Sequence, residues 1–177
     1  TATLAFPLDS VQALFPLSLY EAAGGAVQAN QRRPILEVEP LQDVLKVMQE
    51  GTSEGIFPGW LNQFQTHGQV WTAFREGQTN LGVTWLSNYL WELPPDTAAV
   101  PLLPMDETAL TLGTGLSLAI ATPDTNRHAA AVALAEFLTE PEFMAAWTSA
   151  AGYIPPRPSA LELWENQSLR HTSSQTA

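Results

Sequence analysis

The chain has 177 residues, of which 45% are hydrophobic and only 14% charged, so it can bury a sizeable core and does not have the composition of a disordered segment. Its formal net charge of -11 would be repelled by phosphate groups, which argues against nucleic acid and against an anionic membrane surface as partners. The absence of cysteine excludes disulfides, thiolate metal sites and cysteine catalysis.

Three helices are predicted in the first half of the chain. The first covers residues 17–23, with Pro16 near its first turn and a double glycine, Gly24 and Gly25, at its end. The second begins at Pro40 and ends at Gly51, and its apolar residues recur at helical spacing: Leu41, Val44, Leu45 and Met48. The third is short, stops at Gly77 and has one apolar face: Val70, Trp71 and Phe74.

Extended segments are predicted in the middle of the chain. In residues 80–85 the alternation of Leu81, Val83 and Trp85 is typical of a strand. The proline-rich residues 92–104 follow as a loop or an edge strand, because proline cannot donate a ladder hydrogen bond. Residues 110–121 form the longest apolar stretch, and this favours a buried strand.

The last third of the chain is predicted to be helical. Asn126 caps an alanine-rich helix through Leu138, with a core face of Ala130, Leu134, Phe137 and Leu138. Thr139 and Glu142 have capping-box spacing for the next helix, which ends at Gly152. Because helices and short strands alternate along the chain, the sequence predicts an α/β domain.

Four segments carry a resemblance to a known family. Residues 17–25 match a helix that ends in a double glycine, and residues 70–90 match an F-x-x-G-x-x-x-x-x-x-x-W segment. Residues 110–121 match a glycine-containing strand, and residues 128–161 match paired helices followed by G-y-x-P-x-R. In this order the segments resemble the extracellular solute-binding proteins of ABC importers, in the large family that includes maltose-binding protein. Each motif alone is weak, and the resemblance depends on their order.

The resemblance implies one lobe of a two-lobe periplasmic-binding-protein-like fold of type II, in which crossing segments join two α/β lobes around the ligand. Residues 1–165 are expected to form mainly the second lobe, with hinge-proximal strands near 78–120, and residues 166–177 a polar tail. Because such proteins are normally more than twice as long, the chain is expected to be a fragment that supplies one wall of the cleft. The first lobe, the export signal and the C-terminal helices are expected to be missing from it.

The function implied by the resemblance is capture of an extracellular solute, most often a sugar or oligosaccharide, for delivery to an ABC transporter permease. The expected location is extracellular or periplasmic, with a membrane tether through a lipoprotein signal in the missing N-terminal part. The expected partners are the solute, the permease and the missing first lobe, with no nucleic acid, no cofactor and no enzymatic activity. Oligopeptides, polyamines and metal chelates remain open as solutes.

A sugar presents hydroxyl groups around apolar C–H faces, so its site needs aromatic planes beside amides, carboxylates or backbone groups. Trp85 ends a predicted strand and is soon followed by Asn88, and the resemblance implies that this tryptophan stacks on a sugar ring. The alternative is core packing, since Leu81 and Val83 share the face of Trp85. Trp91 is interpreted as a packing residue.

Two further clusters are candidates for ligand contact. Gly113, Thr114 and Gly115 interrupt an apolar strand and permit close approach of a ligand, and the resemblance places this turn by the cleft and hinge; a plain β-bulge is the alternative. Tyr153 and Arg157 lie in a turn that the resemblance directs at the cleft. The planar guanidinium of Arg157 can bond several hydroxyl groups, although a surface ion pair is the alternative.

Tyr20 and Trp60 are the remaining aromatic candidates for the ligand site, and for both a structural role is favoured.

The sequence carries no clear catalytic or metal-binding motif. His67, His128 and His171 are widely separated, so no zinc site is predicted. The 18 Asp and Glu residues leave a chance pair of glycosidase carboxylates open, so a carbohydrate-active hydrolase domain is the second hypothesis. A third hypothesis is an interaction or structural module without a small ligand, which predicts that Trp85 and Trp91 are fully buried.

Overall fold

The computed structural model describes residues 2–8, 14–30, 33–101 and 112–164. The chain divides into two compact units. The first unit combines Thr1–Trp85 with Ala98–Gly113, and the second combines Leu86–Thr97 with Thr114–Ala177. The residues expected to form the polar tail, 166–177, lie outside the described part of the chain, as do residues 110 and 111 of the predicted buried strand.

The described elements are mainly helical. In chain order the first unit contains β1 (Leu4–Ala5), α1 (Leu14–Ala22), β2 (Gln28–Asn30), β3 (Arg33–Ile35), α2 (Val38–Ser53), a 3-10 helix (Gly59–Gln63), α3 (His67–Arg75) and β4 (Leu81–Gly82). The second contains α4 (Leu86–Glu92), a 3-10 helix (Thr125–Arg127), α5 (His128–Leu138), α6 (Pro141–Ala151) and helical residues 158–164, named α7. Helices with few strands are consistent with part of an α/β lobe.

The first unit contains two two-stranded sheets: β2 and β3 pair antiparallel, and the other sheet joins the start of the chain to the segment before Trp85. β1 and β4 pair in parallel, with Leu4 opposite Leu81 and Ala5 opposite Gly82. The Val83 amide extends this ladder by donating to the Ala5 carbonyl over 2.8 Å. Only two residues of the predicted strand 80–85 are assigned to β4, and the exposed Leu81 does not share the burial of Val83.

The core of the first unit is built around Phe6, which has 0% of its surface exposed. Its ring centroid lies 4.4 Å from that of Phe15 and 5.2 Å from that of Phe57, the latter in an edge-on arrangement. Ala5, Leu61 and Val70 complete this cluster. Burying aromatic side chains together supplies both apolar area and favourable ring geometry, so this cluster holds α1, α3 and the β1 segment in one body.

The helices predicted in the first half are confirmed, with different ends. α1 begins three residues earlier than predicted, and α2 continues through Gly51 instead of stopping there. A Cβ atom at position 51 would meet the Phe57 ring, so this glycine is required by packing and not by helix termination. Val44 of α2 is buried whereas Leu41 and Leu45 are exposed, so half of the predicted apolar face is wrong.

The boundary between α5 and α6 differs from the capping-box prediction. The Thr139 hydroxyl donates to the Ala135 carbonyl over 2.9 Å, so Thr139 closes α5 instead of opening α6. Glu140 takes the N-cap position of α6, and Pro141 starts the helix, where its missing N–H costs nothing. Gly152 ends α6 in the left-handed conformation, as its sequence position predicts.

The apolar residues of 112–121 are exposed in this structure. This segment contains no strand, and Leu116, Leu118 and Ile120 are all exposed, Leu116 by 87%. Of the predicted core face of α5, Leu134 and Phe137 are exposed as well. The predicted buried strand and buried helix face are therefore wrong for the described residues, because no described part of the second unit covers them. No described helix has the length and hydropathy to cross a membrane.

Candidate functional site

Trp85 lies three residues after the end of β4 and is the last residue of the segment Thr1–Trp85 of the first unit. Its side chain is only partly buried. The indole packs on the imidazole of His67, with 5.3 Å between ring centroids and 55° between ring planes. The Trp85 indole is therefore supported by His67 and keeps part of its surface accessible to solvent.

His67 owes its position to the start of α3. The Thr66 hydroxyl accepts from the Gln69 amide over 3.2 Å, and the Gln69 side-chain oxygen accepts from the Thr66 amide over 3.1 Å, which forms a capping box. This pair of bonds fixes the backbone from 66 to 69. His67, the first helical residue, is consequently held beside the chain that leads from β4 to Trp85.

Two hydrogen bonds join His67 to the residues before Trp85. His67 Nδ1 lies 3.3 Å from the Val83 carbonyl oxygen, and the Thr84 hydroxyl donates to the His67 carbonyl over 3.1 Å. Together with the ring contact, they give His67 a link to each of three consecutive residues, 83, 84 and 85.

The imidazole of His67 is held neutral. His67 is 6% exposed, and burial lowers its pKa below the usual 6.5, against a smaller opposite effect of the bond to Val83. Because a carbonyl oxygen only accepts, Nδ1 carries the proton in that bond. Nε2 is buried and has no hydrogen-bond partner among the described residues, so a second proton there would also lack an acceptor.

The residues after Trp85 belong to α4 of the second unit. Asn88 is partly buried and already has an interaction partner in the structure. Trp91 is 67% exposed, so the interpretation of Trp91 as a packing residue is wrong. The structural-module hypothesis requires both tryptophans to be fully buried, and neither is.

The glycine-containing candidate turn is exposed throughout. Gly113 belongs to the first unit, and Thr114 and Gly115 to the second. A Cβ atom at either glycine would meet nothing within 4 Å, so no described backbone approaches them closely. A β-bulge does not describe this turn, since residues 112–121 contain no paired strand.

Tyr153 and Arg157 lie in the turn between α6 and α7, and both are exposed. The Tyr153 ring packs edge-on against Trp147, with centroids 6.1 Å apart. The Arg157 carbonyl accepts from the Leu161 amide over 2.9 Å, which fixes the start of α7. The turn thus presents a phenol ring and a guanidinium group on the surface of the second unit.

Tyr20 and Trp60 have structural roles in the first unit. Tyr20 is 3% exposed; its hydroxyl donates to the Ala26 carbonyl over 3.1 Å and accepts from the Glu37 amide over 2.7 Å. Because the side chain is almost completely buried and its hydroxyl proton is already donated, Tyr20 offers no surface to a ligand in this structure. Trp60 is partly buried against the phenylalanine cluster and packs edge-on against Phe64.

The candidate residues fall into two groups by unit. The first unit contains Trp85, Trp60, Tyr20 and Gly113, and the second contains Asn88, Thr114, Gly115, Tyr153 and Arg157. The contact between His67 and Trp85 is the feature that the sequence did not predict: His67 was considered as a metal ligand and, with its neighbours in residues 57–68, as a residue that lines the cleft or a surface loop. The available signal was the T-x-x-Q pattern of a capping box, which places His67 at the start of a helix whose apolar face is buried.

An open groove of the second unit lies beside the exposed apolar segment. It combines apolar residues of that segment and of α5 with three polar side chains: Ala119, Ile120, Ala121, Ala130, Ala131 and Leu134, then Thr122, Asn126 and Arg127. Across the described ranges, no group of three or more His, Asp or Glu side chains is placed to hold a metal ion.

Comparison with known proteins gives one match. The family model for bacterial extracellular solute-binding proteins matches residues 3–171, nearly the whole chain. No curated protein and no solved structure matches the chain.

Proposed function

Because the chain belongs to the family of bacterial extracellular solute-binding proteins, we propose that it captures a sugar or oligosaccharide for the permease of an ABC importer. Family membership itself implies capture of an extracellular solute for ABC transport, and such proteins are generally not enzymes. The family name also indicates an extracellular or periplasmic location. Attachment through a lipoprotein signal is part of the proposal.

The observation that supports a sugar is the partly open ring of Trp85. A pyranose ring binds an aromatic plane through its apolar C–H face, and this needs an indole that is fixed in orientation yet not covered on every side. Trp85 is fixed by the His67 ring on one side and is only partly buried. The candidates of the second unit, Asn88, Tyr153 and Arg157, carry polar groups of the kind that hydroxyls require, and each is proposed separately as a solute contact.

We further propose that the chain forms one wall of the cleft and that another lobe of the same protein completes it. The support is the apolar surface of the second unit, defined as Leu116, Leu118, Ile120, Leu134 and Phe137, all of them exposed. Ile120 and Leu134 line the same groove, so the extended segment and α5 are adjacent. Soluble proteins rarely leave such contiguous apolar patches open to water.

Substituting Leu116 by serine tests whether this surface is covered. In residues 1–177 alone the change is expected to alter the free energy of unfolding by less than ~0.5 kcal/mol, because the side chain is already exposed. In the full gene product it is expected to cost roughly 1–3 kcal/mol through lost burial. Urea unfolding of both proteins measures the difference. Val100→Ser, at another exposed apolar residue, serves as the control. If Leu116→Ser changes the free energy of unfolding little in both proteins, the proposal that another lobe covers this surface is contradicted.

Sugar binding is tested by calorimetry on the full gene product with a panel of monosaccharides and oligosaccharides. Trp85→Ala is expected to weaken the affinity for the bound sugar roughly tenfold to a hundredfold, because stacking and apolar contact are lost. Residues 1–177 alone are expected to bind weakly or not at all, since a ligand favours the closed form only through contacts with both lobes.

Trp91→Ala is the matched control for this experiment, since it removes an exposed indole from the helix that follows Trp85. Its affinity is expected to equal that of the unmodified protein. The sugar assignment is contradicted if no sugar binds while a peptide or polyamine does. The role of Trp85 is contradicted if its alanine variant binds sugar at full strength, and the one-wall proposal if the isolated chain binds it with micromolar affinity.

A further inference from the structure

We propose that His67 is a positioning residue that sets the orientation of the Trp85 indole through three linked contacts. The inference rests on the proposed role of Trp85 as the stacking surface for solute. It assigns to His67 no contact with the solute itself.

The first step of the argument is that His67 is itself held firmly. The capping box of Thr66 and Gln69 closes the turn around it, and a second bond to the Gln69 side-chain oxygen, from the Gln65 amide over 2.8 Å, extends this restraint by one residue. With 6% of its surface exposed, the His67 side chain has little room for another rotamer. The imidazole therefore keeps one position, from which it can restrain the residues that it contacts.

The second step is that His67 restrains the chain on which Trp85 is carried. Its Nδ1–H donates to the Val83 carbonyl, while the Val83 amide on the other side of the backbone donates to Ala5 in the ladder with β1. Thr84 is tied to the His67 carbonyl by its hydroxyl. The peptide groups just before Trp85 are thereby bonded on both sides, which fixes the direction in which the Trp85 side chain leaves the backbone.

The third step is the ring contact. At a centroid distance of 5.3 Å and a tilt of 55°, the imidazole supports the indole and limits its rotation. Only a neutral imidazole fits this arrangement, because its second nitrogen is buried without an acceptor among the described residues. Residues 83–85, which face the imidazole, carry no titratable group. The charged side chain on α3 itself is Arg75, which lies two turns further along the helix from His67.

The test uses the 177-residue chain labelled with 5-fluorotryptophan and followed by fluorine NMR, with the Trp85 resonance assigned by Trp85→Phe. We expect that resonance to shift with pH along a single titration whose midpoint lies below 6.5, as His67 gains its second proton. His67→Asn keeps an N–H at the place of Nδ1 and cannot titrate. It is expected to abolish the pH dependence of the Trp85 resonance, at a chemical shift that differs from that of the unmodified chain because the ring contact is lost.

Two further variants complete the experiment. His67→Phe keeps a ring but loses the donor to Val83, and it is expected to displace or broaden the Trp85 resonance at neutral pH. His128→Asn is the matched control: His128 bonds to the Thr122 carbonyl over 3.0 Å in the second unit, and its loss is expected to leave the Trp85 titration unchanged. A Trp85 resonance that ignores pH in the unmodified chain overturns the proposal, as does a titration that persists in His67→Asn. Neither readout requires a solute, so a failure of sugar binding is a separate result.

Discussion

Replacing Phe6 by alanine is expected to lower the free energy of unfolding of the first unit by about 3–5 kcal/mol. Phe6 is completely buried, and both of its aromatic neighbours, Phe15 and Phe57, lie within 5.2 Å of it by ring centroid. Its removal loses the transfer free energy of a phenyl ring from water to the core. It also leaves a cavity, because the pairing of β1 with β4 holds the neighbouring backbone in place. Urea unfolding followed by circular dichroism and tryptophan fluorescence measures the loss.

Phe137→Ala is the matched control for the Phe6 experiment. Phe137 is 49% exposed on α5 and contacts Phe143, with centroids 4.8 Å apart, so its loss is expected to cost roughly 1 kcal/mol in the isolated chain. Phe6→Leu keeps part of the side-chain volume, and its loss of free energy of unfolding is expected to lie between those of Phe6→Ala and Phe137→Ala. Equal losses for Phe6→Ala and Phe137→Ala would mean that the phenylalanine cluster is not the stabilising centre of the first unit.

The helices could be predicted because their signals are local. The apolar spacing of α3 and the glycine at the end of α6 each act within a turn of the residue concerned, and both gave helices at the expected places. Gly51 was misinterpreted for the opposite reason. Its meaning depends on Phe57, a residue of the following loop that no helical pattern connects with it.

Burial could not be predicted where it depends on distant parts of a protein. The alternation of Leu116, Leu118 and Ile120 is that of a strand with one apolar face, but a strand is buried only by what lies against it. In the second unit these side chains are exposed. The sequence pattern therefore predicts burial that the described part of the second unit does not provide.

The candidate site shows the same division between local and distant signals. Trp85 was found because an aromatic residue at a strand end followed by polar residues is a local pattern. His67 lies 18 positions before Trp85, and their contact is created by the parallel pairing of β1 with β4 and the packing of α3 on it. No motif of the sequence joins the two residues, and only coordinates bring the imidazole to the indole.

Replacing Gly152 by alanine is expected to cost roughly 2–5 kcal/mol, from two effects that add. The residue has a φ of 69°, where a side chain costs about 1–2 kcal/mol relative to glycine. Its new Cβ would also lie 2.9 Å from the Ser87 carbonyl oxygen and 3.0 Å from the Trp91 amide nitrogen. Both are backbone atoms of α4, so no rotamer change relieves the overlap, and either α4 or the end of α6 must move.

Gly77→Ala separates the two effects of the Gly152 substitution. Gly77 has a φ of 72°, nearly that of Gly152, but a Cβ there meets no atom within 4 Å, so only the backbone cost of about 1–2 kcal/mol is expected. The difference between the two variants in the free energy of unfolding is then the steric cost of placing a methyl group between α6 and α4. Because α4 begins at the residue after Trp85, the Gly152 variant is also expected to weaken solute binding by the full gene product, while Gly77→Ala leaves it unchanged. Equal destabilisation by the two variants would show that α4 yields to the added methyl group without cost, and that the close approach of α6 to α4 is not a rigid contact of the second unit.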